Sequence, residues 1–114
     1  MIMSDSDNTL IGNREALDHY LNYIEDHRDK FCFGLASGRT PESMKEALRE
    51  WDLPEPDIMI CSVGSEIYYN PGEVEDEDWK AHIDNKWHPE VIMELIAELE
   101  GIETQPEENQ REFK

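Results

Sequence analysis

The sequence predicts an α/β protein with a partial doubly wound parallel sheet of about three strands and flanking helices. Three short apolar segments, at residues 1–3, 31–36 and 57–62, are typical of strands. The middle segment is apolar almost throughout, as expected for a strand that a parallel sheet buries on both faces. Helical periodicity fills the two gaps between the segments, and this alternation is typical of doubly wound folds.

Two helices are expected between these strands. The first covers residues 14–27 and follows Asn13, a residue type favoured at helix N-caps. In the second, Thr40 is the expected N-cap, Pro41 occupies the first helical position, and residues 43–51 continue the helix. The apolar positions of each helix recur on one face, which predicts that this face packs on the sheet.

The pattern changes after the third strand. Residues 67–69 indicate a short strand, residues 70–72 a turn, and residues 73–78 an acidic, solvated loop. Trp79 and Trp87 flank an apolar residue at four-residue spacing, which favours packing over stacking on a sugar ring.

The C-terminal part predicts one amphipathic helix followed by an exposed segment. The helix begins at Pro89 and ends at Gly101. Its expected inner face consists of Val91, Ile92, Leu95, Ile96 and Leu99. Residues 103–114 hold almost no apolar material, so an exposed connection is expected there.

Composition argues against several classes of function. The chain has 114 residues, which suits one small domain, and 28 acidic against 10 basic residues give a formal charge of −18. This charge disfavours binding to nucleic-acid phosphates and to anionic membranes. The apolar runs are also far shorter than the ~20 residues that a membrane span requires. No nucleic-acid partner and no membrane association are therefore expected.

The cysteines indicate a reducing compartment. Cys32 and Cys61 lie singly in apolar, strand-like segments without CxxC spacing, which predicts buried reduced thiols rather than a disulfide or a zinc site. No charged leader followed by an apolar signal region is visible. A cytoplasmic protein is expected.

Polar clusters follow all three predicted strands, at residues 5–9, 37–40 and 64–66. In an open parallel sheet, ligands bind beyond the carboxyl ends of the strands. Because these ends meet at one edge, we expect the three clusters to form a single rim.

Asp5 and Asp7 have the chemistry of a phosphoryl-transfer pair. Asp5 is the expected nucleophile, which forms an aspartyl-phosphate, and Asp7 is the expected acid and base, which protonates the leaving alcohol and later deprotonates water. Two nearby carboxylates resist joint ionisation, which helps to keep one of them protonated. Mg²⁺, a hard cation, is expected on the Asp5 carboxylate and the backbone carbonyl of Asp7. The alternative is an Asx-rich turn after a strand.

Ser37, Gly38 and Arg39 offer a hydroxyl, an unobstructed backbone amide and a guanidinium beside a helix N-terminus. These are the components of a phosphate or sugar-hydroxyl site. The alternative is a helix-capping turn with an exposed arginine.

Three further residues are assigned to the same phosphate or substrate site. They are Thr9 of the first cluster and Ser65 and Glu66 of the third. A simple turn before a hairpin is the alternative for Ser65 and Glu66. The four histidines show no convergent metal-ligand spacing, and surface positions are expected for them.

The motifs DSDNTL at residues 5–10 and SGRT at residues 37–40 resemble those of the haloacid dehalogenase superfamily of phosphatases. Within it, LPEPD at residues 53–57 and SVGSEIYY at residues 62–69 resemble the sucrose-phosphate phosphatases. This resemblance implies magnesium-dependent hydrolysis of sucrose 6-phosphate to sucrose and phosphate. It also implies a haloacid dehalogenase-like core at residues 1–72, followed at residues 73–114 by the start of a cap domain and the exposed C-terminal segment.

Two departures from the family concern single residues, and a third concerns the extent of the chain. Ser37 stands where the family more often has Thr and keeps a hydroxyl, and Ser6 replaces a usual apolar residue. Family members are longer and carry a phosphate-binding lysine and further magnesium-binding aspartates after the cap. The isolated chain is therefore expected to be inactive. It should expose an apolar sheet edge, at which it would self-associate or pair with a missing C-terminal half.

Three functions stay open at this point. The first is a phosphatase of the sucrose-phosphate type, represented by its N-terminal portion. The second is a non-catalytic remnant, or a domain accessory to a sucrose-phosphate synthase. The third is a phosphatase for another sugar phosphate, such as a trehalose or mannosyl derivative.

Overall fold

The computed structural model describes residues 1–70 and 72–113 and shows a five-stranded mixed sheet with helices. Its strands are β1 (Ile2–Asp5), β2 (Phe33–Ala36), β3 (Ile58–Cys61), β4 (Glu66–Tyr69) and β5 (Val74–Glu75). Its helices are α1 (Arg14–Asp26), α2 (Pro41–Glu50), α3 (Glu77–Asp84) and α4 (Pro89–Ala97). Two 3₁₀ turns cover Ser62–Gly64 and Glu107–Asn109.

The sheet has the order β1-β2-β3-β4-β5 and joins a parallel part to an antiparallel part. The parallel pairing of β1, β2 and β3, with α1 and α2 as crossovers, confirms the predicted alternation. The predicted short strand at 67–69 is β4, which pairs antiparallel with β3 because their short connection allows only a reversal. The expectation of an acidic loop at 73–78 was wrong, since these residues include β5 and the start of α3.

The core lies between the parallel strands and the two crossover helices. Its fully buried side chains include Phe33, Leu35 and Met59 from the sheet, Ile24 from α1 and Met44 from α2. Both helices are capped as predicted: the Asn13 side chain accepts from the amide of Ala16, and Thr40 accepts from that of Ser43. The caps fix where each helix begins and therefore where the preceding loop ends.

Among the described residues, β1 pairs only with β2, so it forms one edge of the sheet. Met3 lies over Gly34, its register partner: a Cβ on Gly34 would lie 2.7 Å from the methyl carbon of Met3. The glycine thus leaves room for the methionine side chain. Met1 and Met3 remain exposed beside this edge, as expected for an unpaired apolar margin.

Two further expectations were wrong. Cys32 is exposed because β2 begins only at Phe33, whereas Cys61 is buried as predicted. The expected inner face of the last helix is largely exposed: Leu95 of α4 is 63% exposed, and Leu99, beyond the end of α4 at Ala97, is 56% exposed. Most of the described C-terminal segment is exposed, as expected, but Arg111 binds Glu66 of the sheet.

The two tryptophans pack within the described structure, as predicted. The Trp79 indole donates to the carbonyl of Gly64 at 3.0 Å, and that of Trp87 donates to the carbonyl of Glu112 at 3.0 Å. The Trp87 ring also meets Phe113 edge to face at a centroid distance of 6.1 Å. In the described part of the chain, no helix is long and apolar enough to cross a membrane.

We expect Leu35→Ala to lower the free energy of unfolding by about 2–5 kcal/mol, because Leu35 is fully buried at the centre of the sheet. Val74→Ala, at a half-exposed position of β5, is the matched control and should change it by less than about 0.5 kcal/mol. Urea unfolding of both variants measures the difference. Equal losses would contradict the assignment of the core to the parallel strands.

Candidate active site

The three polar clusters meet at one rim of the sheet, as predicted. Asp5 pairs with Ala36 and Ala36 with Ile60, so the polar segments that follow the strands leave the sheet side by side. A hydrogen bond connects two of these segments directly: the amide of Ser62 donates to the carbonyl of Arg39 at 2.8 Å. The segments that follow β2 and β3 are therefore in direct contact at this rim.

Asp7 is the centre of a hydrogen-bond network at this rim. The Arg39 guanidinium binds it in bidentate fashion, with Nη2 at 2.7 Å from Oδ1 and Nε at 3.1 and 3.0 Å from the two oxygens. Hydroxyls of Ser37 and Ser6 donate to Oδ2 at 3.2 and 3.0 Å. The Asp7 carboxylate is thus held in one orientation by residues from two of the three clusters.

This network sets the charge of Asp7. The hydrogen bond from Arg39 lowers the pKa of Asp7, against the opposing effect of burial and with help from the two serine hydroxyls. The expectation that crowding of two carboxylates keeps one protonated is therefore not met at Asp7, because a cation rather than a second carboxylate is its nearest charged partner. Asp7 must take up a proton before it can donate one, and a weaker contact with Arg39 would favour that uptake.

Asp5 ends β1 and is exposed at the rim. The Thr9 hydroxyl donates to its Oδ2 at 2.8 Å and so orients the carboxylate. The loop between them is closed by the amides of Leu10 and Ile11, which both donate to the carbonyl of Ser6. An exposed, oriented carboxylate at a strand end has the geometry expected of a nucleophile.

The residues at this rim suit a hard cation in part. Within the described ranges, no group of three or more His, Cys, Asp or Glu side chains could hold a metal ion. The Asp5 carboxylate and the backbone carbonyl of Asp7 offer two oxygens, and Mg²⁺ commonly binds through one or two carboxylates, with water and substrate phosphate as its other ligands. The chemistry of these donors fits Mg²⁺ with the coordination shell completed by other groups.

The turn at residues 37–39 carries donor groups of the kind that bind anions, and its role in binding phosphate stays a prediction. The Arg39 amide donates to the hydroxyl of Ser37 at 3.2 Å, and Gly38 is exposed just before the N-terminus of α2. The guanidinium of Arg39 also donates from Nη1 to the hydroxyl of Ser43 at 3.2 Å, which braces it against the first turn of α2. A helix N-terminus with an adjacent guanidinium attracts phosphate.

The third cluster is arranged differently from the other two. The Ser65 hydroxyl donates to the carbonyl of Ser62 at 2.9 Å. Glu66 is only 8% exposed, and its carboxylate accepts hydrogen bonds from Ser62, Tyr68 and Arg111. Contact of either residue with a substrate stays a prediction, and for Glu66 it would require breaking these bonds.

Three residues at or near the rim escaped the sequence analysis as contributors. Ser6 was noted only as a departure from the family, yet it is fully buried and orients Asp7. Ser43 could have been found from its position four residues after Arg39 on the first turn of α2. Arg111 gave no signal, because its contact with Glu66 spans 45 residues of sequence.

We expect Arg39→Gln to raise the pKa of Asp7 towards its ordinary value of 3.8, because the bidentate cation that lowers it is lost. A pH titration of the Asp7 carboxyl carbon by NMR measures the change. Arg49→Gln on α2 is the control, and it should leave the titration of Asp7 unaltered. An unshifted curve in Arg39→Gln would contradict the role of this pair.

Glu66 should make the free energy of unfolding depend on pH in the acidic range. Burial alone would raise its pKa from 4.5, but hydrogen bonds from Arg111, Ser62 and Tyr68 lower it to about 2. The stabilisation is therefore fully present above about pH 4.5 and is lost as the pH falls through about 2. The free energy of unfolding should fall between about pH 4.5 and about pH 2. We expect this fall to be smaller in Glu66→Gln, by on the order of 1–2 kcal/mol. Urea unfolding at pH 5, 3.5 and 2 tests this, and equal pH dependence in both proteins would refute it.

Comparisons with known proteins agree with this geometry. Sucrose-phosphatase 2 of Nicotiana tabacum is 33% identical to this chain over all of its length, which corresponds to 28% of the tobacco protein. Sucrose-phosphate synthase 4 of Arabidopsis thaliana is 30% identical over 75% of this chain and 8% of its own length. The chain therefore spans less than a third of the tobacco phosphatase.

A solved structure confirms the haloacid dehalogenase-like fold, as a partial domain. The sucrose-phosphatase of Synechocystis sp. PCC6803, crystallised in complex with sucrose and phosphate, superposes with a TM-score of 0.91 at 32% identity. The match covers 96% of this chain and 44% of the cyanobacterial one. The family model of sucrose-6F-phosphate phosphohydrolases matches residues 1–114, which include the rim with Asp5, Asp7 and Arg39. The chain therefore belongs to this family.

Proposed function

We propose that this chain is the N-terminal portion of a magnesium-dependent phosphatase that hydrolyses sucrose 6-phosphate to sucrose and phosphate. The observation that carries the proposal is the rim itself, where an oriented Asp5, an anchored Asp7 and the turn at residues 37–39 lie together. Two findings support the substrate. The family model matches residues 1–114 of this chain, and the cyanobacterial relative was crystallised in complex with sucrose and phosphate.

In this mechanism, Asp5 attacks the phosphorus atom and the bond from phosphorus to the sugar oxygen breaks. Asp7 gives its proton to that oxygen, and sucrose leaves while an aspartyl-phosphate forms on Asp5. Asp7 then takes a proton from water, which attacks the phosphorus and releases phosphate. Mg²⁺, held by Asp5 and the Asp7 carbonyl, would neutralise phosphoryl charge.

The ion pair between Arg39 and Asp7 links protonation of Asp7 to substrate binding in this mechanism. The guanidinium lowers the pKa of Asp7 and so favours its ionised form. A phosphoryl group bound at residues 37–39 competes for the same guanidinium, because phosphate is a strong bidentate partner of arginine. Substrate binding thereby weakens the contact that keeps the proton off Asp7.

Catalysis at full rate requires groups outside residues 1–114. The resemblance to the family implies a phosphate-binding lysine and further metal-binding aspartates beyond the cap, and the chain covers 44% of the cyanobacterial enzyme. Loss of such groups removes electrostatic stabilisation of the transition state, so we propose that the isolated chain is inactive. A C-terminal half pairing along the open edge of β1 would complete the site, and self-association at that edge is the competing outcome.

The second candidate function is a domain accessory to a sucrose-phosphate synthase. The match to 75% of this chain within the Arabidopsis synthase supports it. Phosphate release separates the two candidates, because an accessory domain has no need of an intact nucleophile. For either function, the two free cysteines support a cytoplasmic location, which stays a prediction.

We expect Asp5→Asn to lower phosphate release from sucrose 6-phosphate roughly 10³-fold or more in the full-length gene product that contains this chain, because the amide cannot act as the nucleophile. Asp18→Asn, on the exposed face of α1, is the matched control and should keep full activity. The assay measures inorganic phosphate with and without Mg²⁺, with trehalose 6-phosphate as a second substrate. Equal release by both variants would refute the assignment of Asp5, and preference for trehalose 6-phosphate would change the substrate.

A further inference from the structure

Glu66, which is buried, and Arg111, which is partly exposed, form an ion pair that ties the C-terminal segment to the sheet beside the rim. Nε and Nη2 of Arg111 donate to the two Glu66 oxygens at 2.8 and 2.7 Å. The hydroxyls of Ser62 and Tyr68 donate to the same carboxylate at 2.6 and 2.8 Å. A carboxylate has about four acceptor positions, so these four bonds satisfy it completely. Its function is therefore sought within the protein rather than in contact with a ligand.

Ser62, one of the residues that Glu66 holds, begins a backbone turn in an unusual conformation. Ser62 and Val63 have φ angles of 52° and 61°, in the left-handed region that few residues other than glycine adopt. A β-branched residue such as Val63 is rarer still in this region, and its side chain is 75% exposed. Packing of that side chain does not hold the turn, so the conformation depends on the hydrogen bonds around it.

The other side of this turn supports the phosphate-binding residues. The Ser62 amide donates to the carbonyl of Arg39 at 2.8 Å, and the Val63 amide donates to that of Ser37 at 3.4 Å. A Cβ on Gly38 would lie 3.7 Å from a methyl carbon of Val63, so the two residues are close neighbours. The turn at 62–63 thus supports the backbone of residues 37–39 through two hydrogen bonds.

We propose that Glu66 and Arg111 are positioning residues for the phosphate-binding turn at residues 37–39. Their ion pair fixes Ser62, Ser62 and Val63 fix the backbone of Ser37 and Arg39, and this backbone presents the groups that bind an anion. A residue near the end of the described chain thereby acts on the rim through three successive contacts. The inference rests on the proposed function only in naming phosphate as the ligand of the turn.

The low pKa of Glu66 agrees with a permanent ion pair. Burial acts to raise it, and hydrogen bonds led by that from Arg111 bring it down to about 2. Both members of the pair are therefore charged at neutral pH. The support it gives to the turn is constant rather than switched.

Amide hydrogen exchange of the 114-residue chain tests the positioning role. The variants are Glu66→Gln, Arg111→Met and Arg111→Lys, and the matched control is Glu112→Gln, which breaks the neighbouring pair with Lys80. We expect Glu66→Gln and Arg111→Met to speed exchange at the amides of Ser62 and Arg39 at least tenfold, while amides of β2 change less than twofold. Arg111→Lys keeps the charge but not the two-pronged geometry, so an intermediate effect is expected. Glu112→Gln should match the wild type.

Two outcomes would overturn the proposal. One is unchanged exchange at Ser62 and Arg39 in both Glu66→Gln and Arg111→Met. The other is equal acceleration throughout the sheet, which would show that the pair stabilises the whole fold without a local effect on the turn. Arg111 is partly exposed, so Arg111→Met is expected to fold even where Glu66→Gln does not.

A titration with inorganic phosphate separates this inference from the proposed function. If the turn binds phosphate, the Gly38 amide resonance should shift in the wild type, and the dissociation constant should rise at least fivefold in Arg111→Met. An equal constant in both would overturn the link to phosphate. No shift at Gly38 in the wild type would instead count against the proposed function, and the exchange rates would still decide whether the ion pair positions the turn.

Discussion

The parallel register of β1, β2 and β3 is the constraint on which the site depends. Because Asp5 lies opposite Ala36 and Ala36 opposite Ile60, the chain leaves three adjacent strands at one level. A slip of one residue in β1 would turn Asp5 to the other face of the sheet and replace it with Ser4. Gly34 favours the observed register, since it leaves space for the Met3 side chain. The position of Asp5, the proposed nucleophile, is therefore decided inside the sheet, not in the loop that follows it.

Two arginine–carboxylate pairs of similar geometry serve different ends because their surroundings differ. The pair of Arg39 and Asp7 is partly exposed at the rim, where a phosphoryl group can compete for the guanidinium. In the pair of Arg111 and Glu66, the carboxylate is buried and all its acceptor positions are filled from the same chain. An exchangeable contact suits binding and proton transfer, whereas a permanent one suits support. Each pair uses one of the 10 basic residues of a chain whose formal charge is −18.

The sequence was sufficient where local chemistry decides the outcome. Runs of apolar residues predicted the three parallel strands, the residue types of Asn13 and Thr40 predicted the helix caps, and strand ends predicted the rim. It was insufficient where a contact joins distant segments or where a strand is very short. β5 has two residues and exists only through its pairing with β4, and Arg111 meets Glu66 across 45 positions. The low pKa of Asp7 likewise depends on Arg39, whose side-chain direction no local pattern specifies.

The exposed apolar face of α4 bears on how the chain unfolds. The nine residues of α4 include none that is buried, and an isolated helix of this length is marginal in water. The sheet with α1 and α2 has its own core, to which α4 contributes no buried residue. We therefore expect heating to melt α4 gradually, ahead of a sharp transition of the sheet, so that unfolding of the chain would depart from two-state behaviour. Covering this face with further protein would merge the two transitions into one.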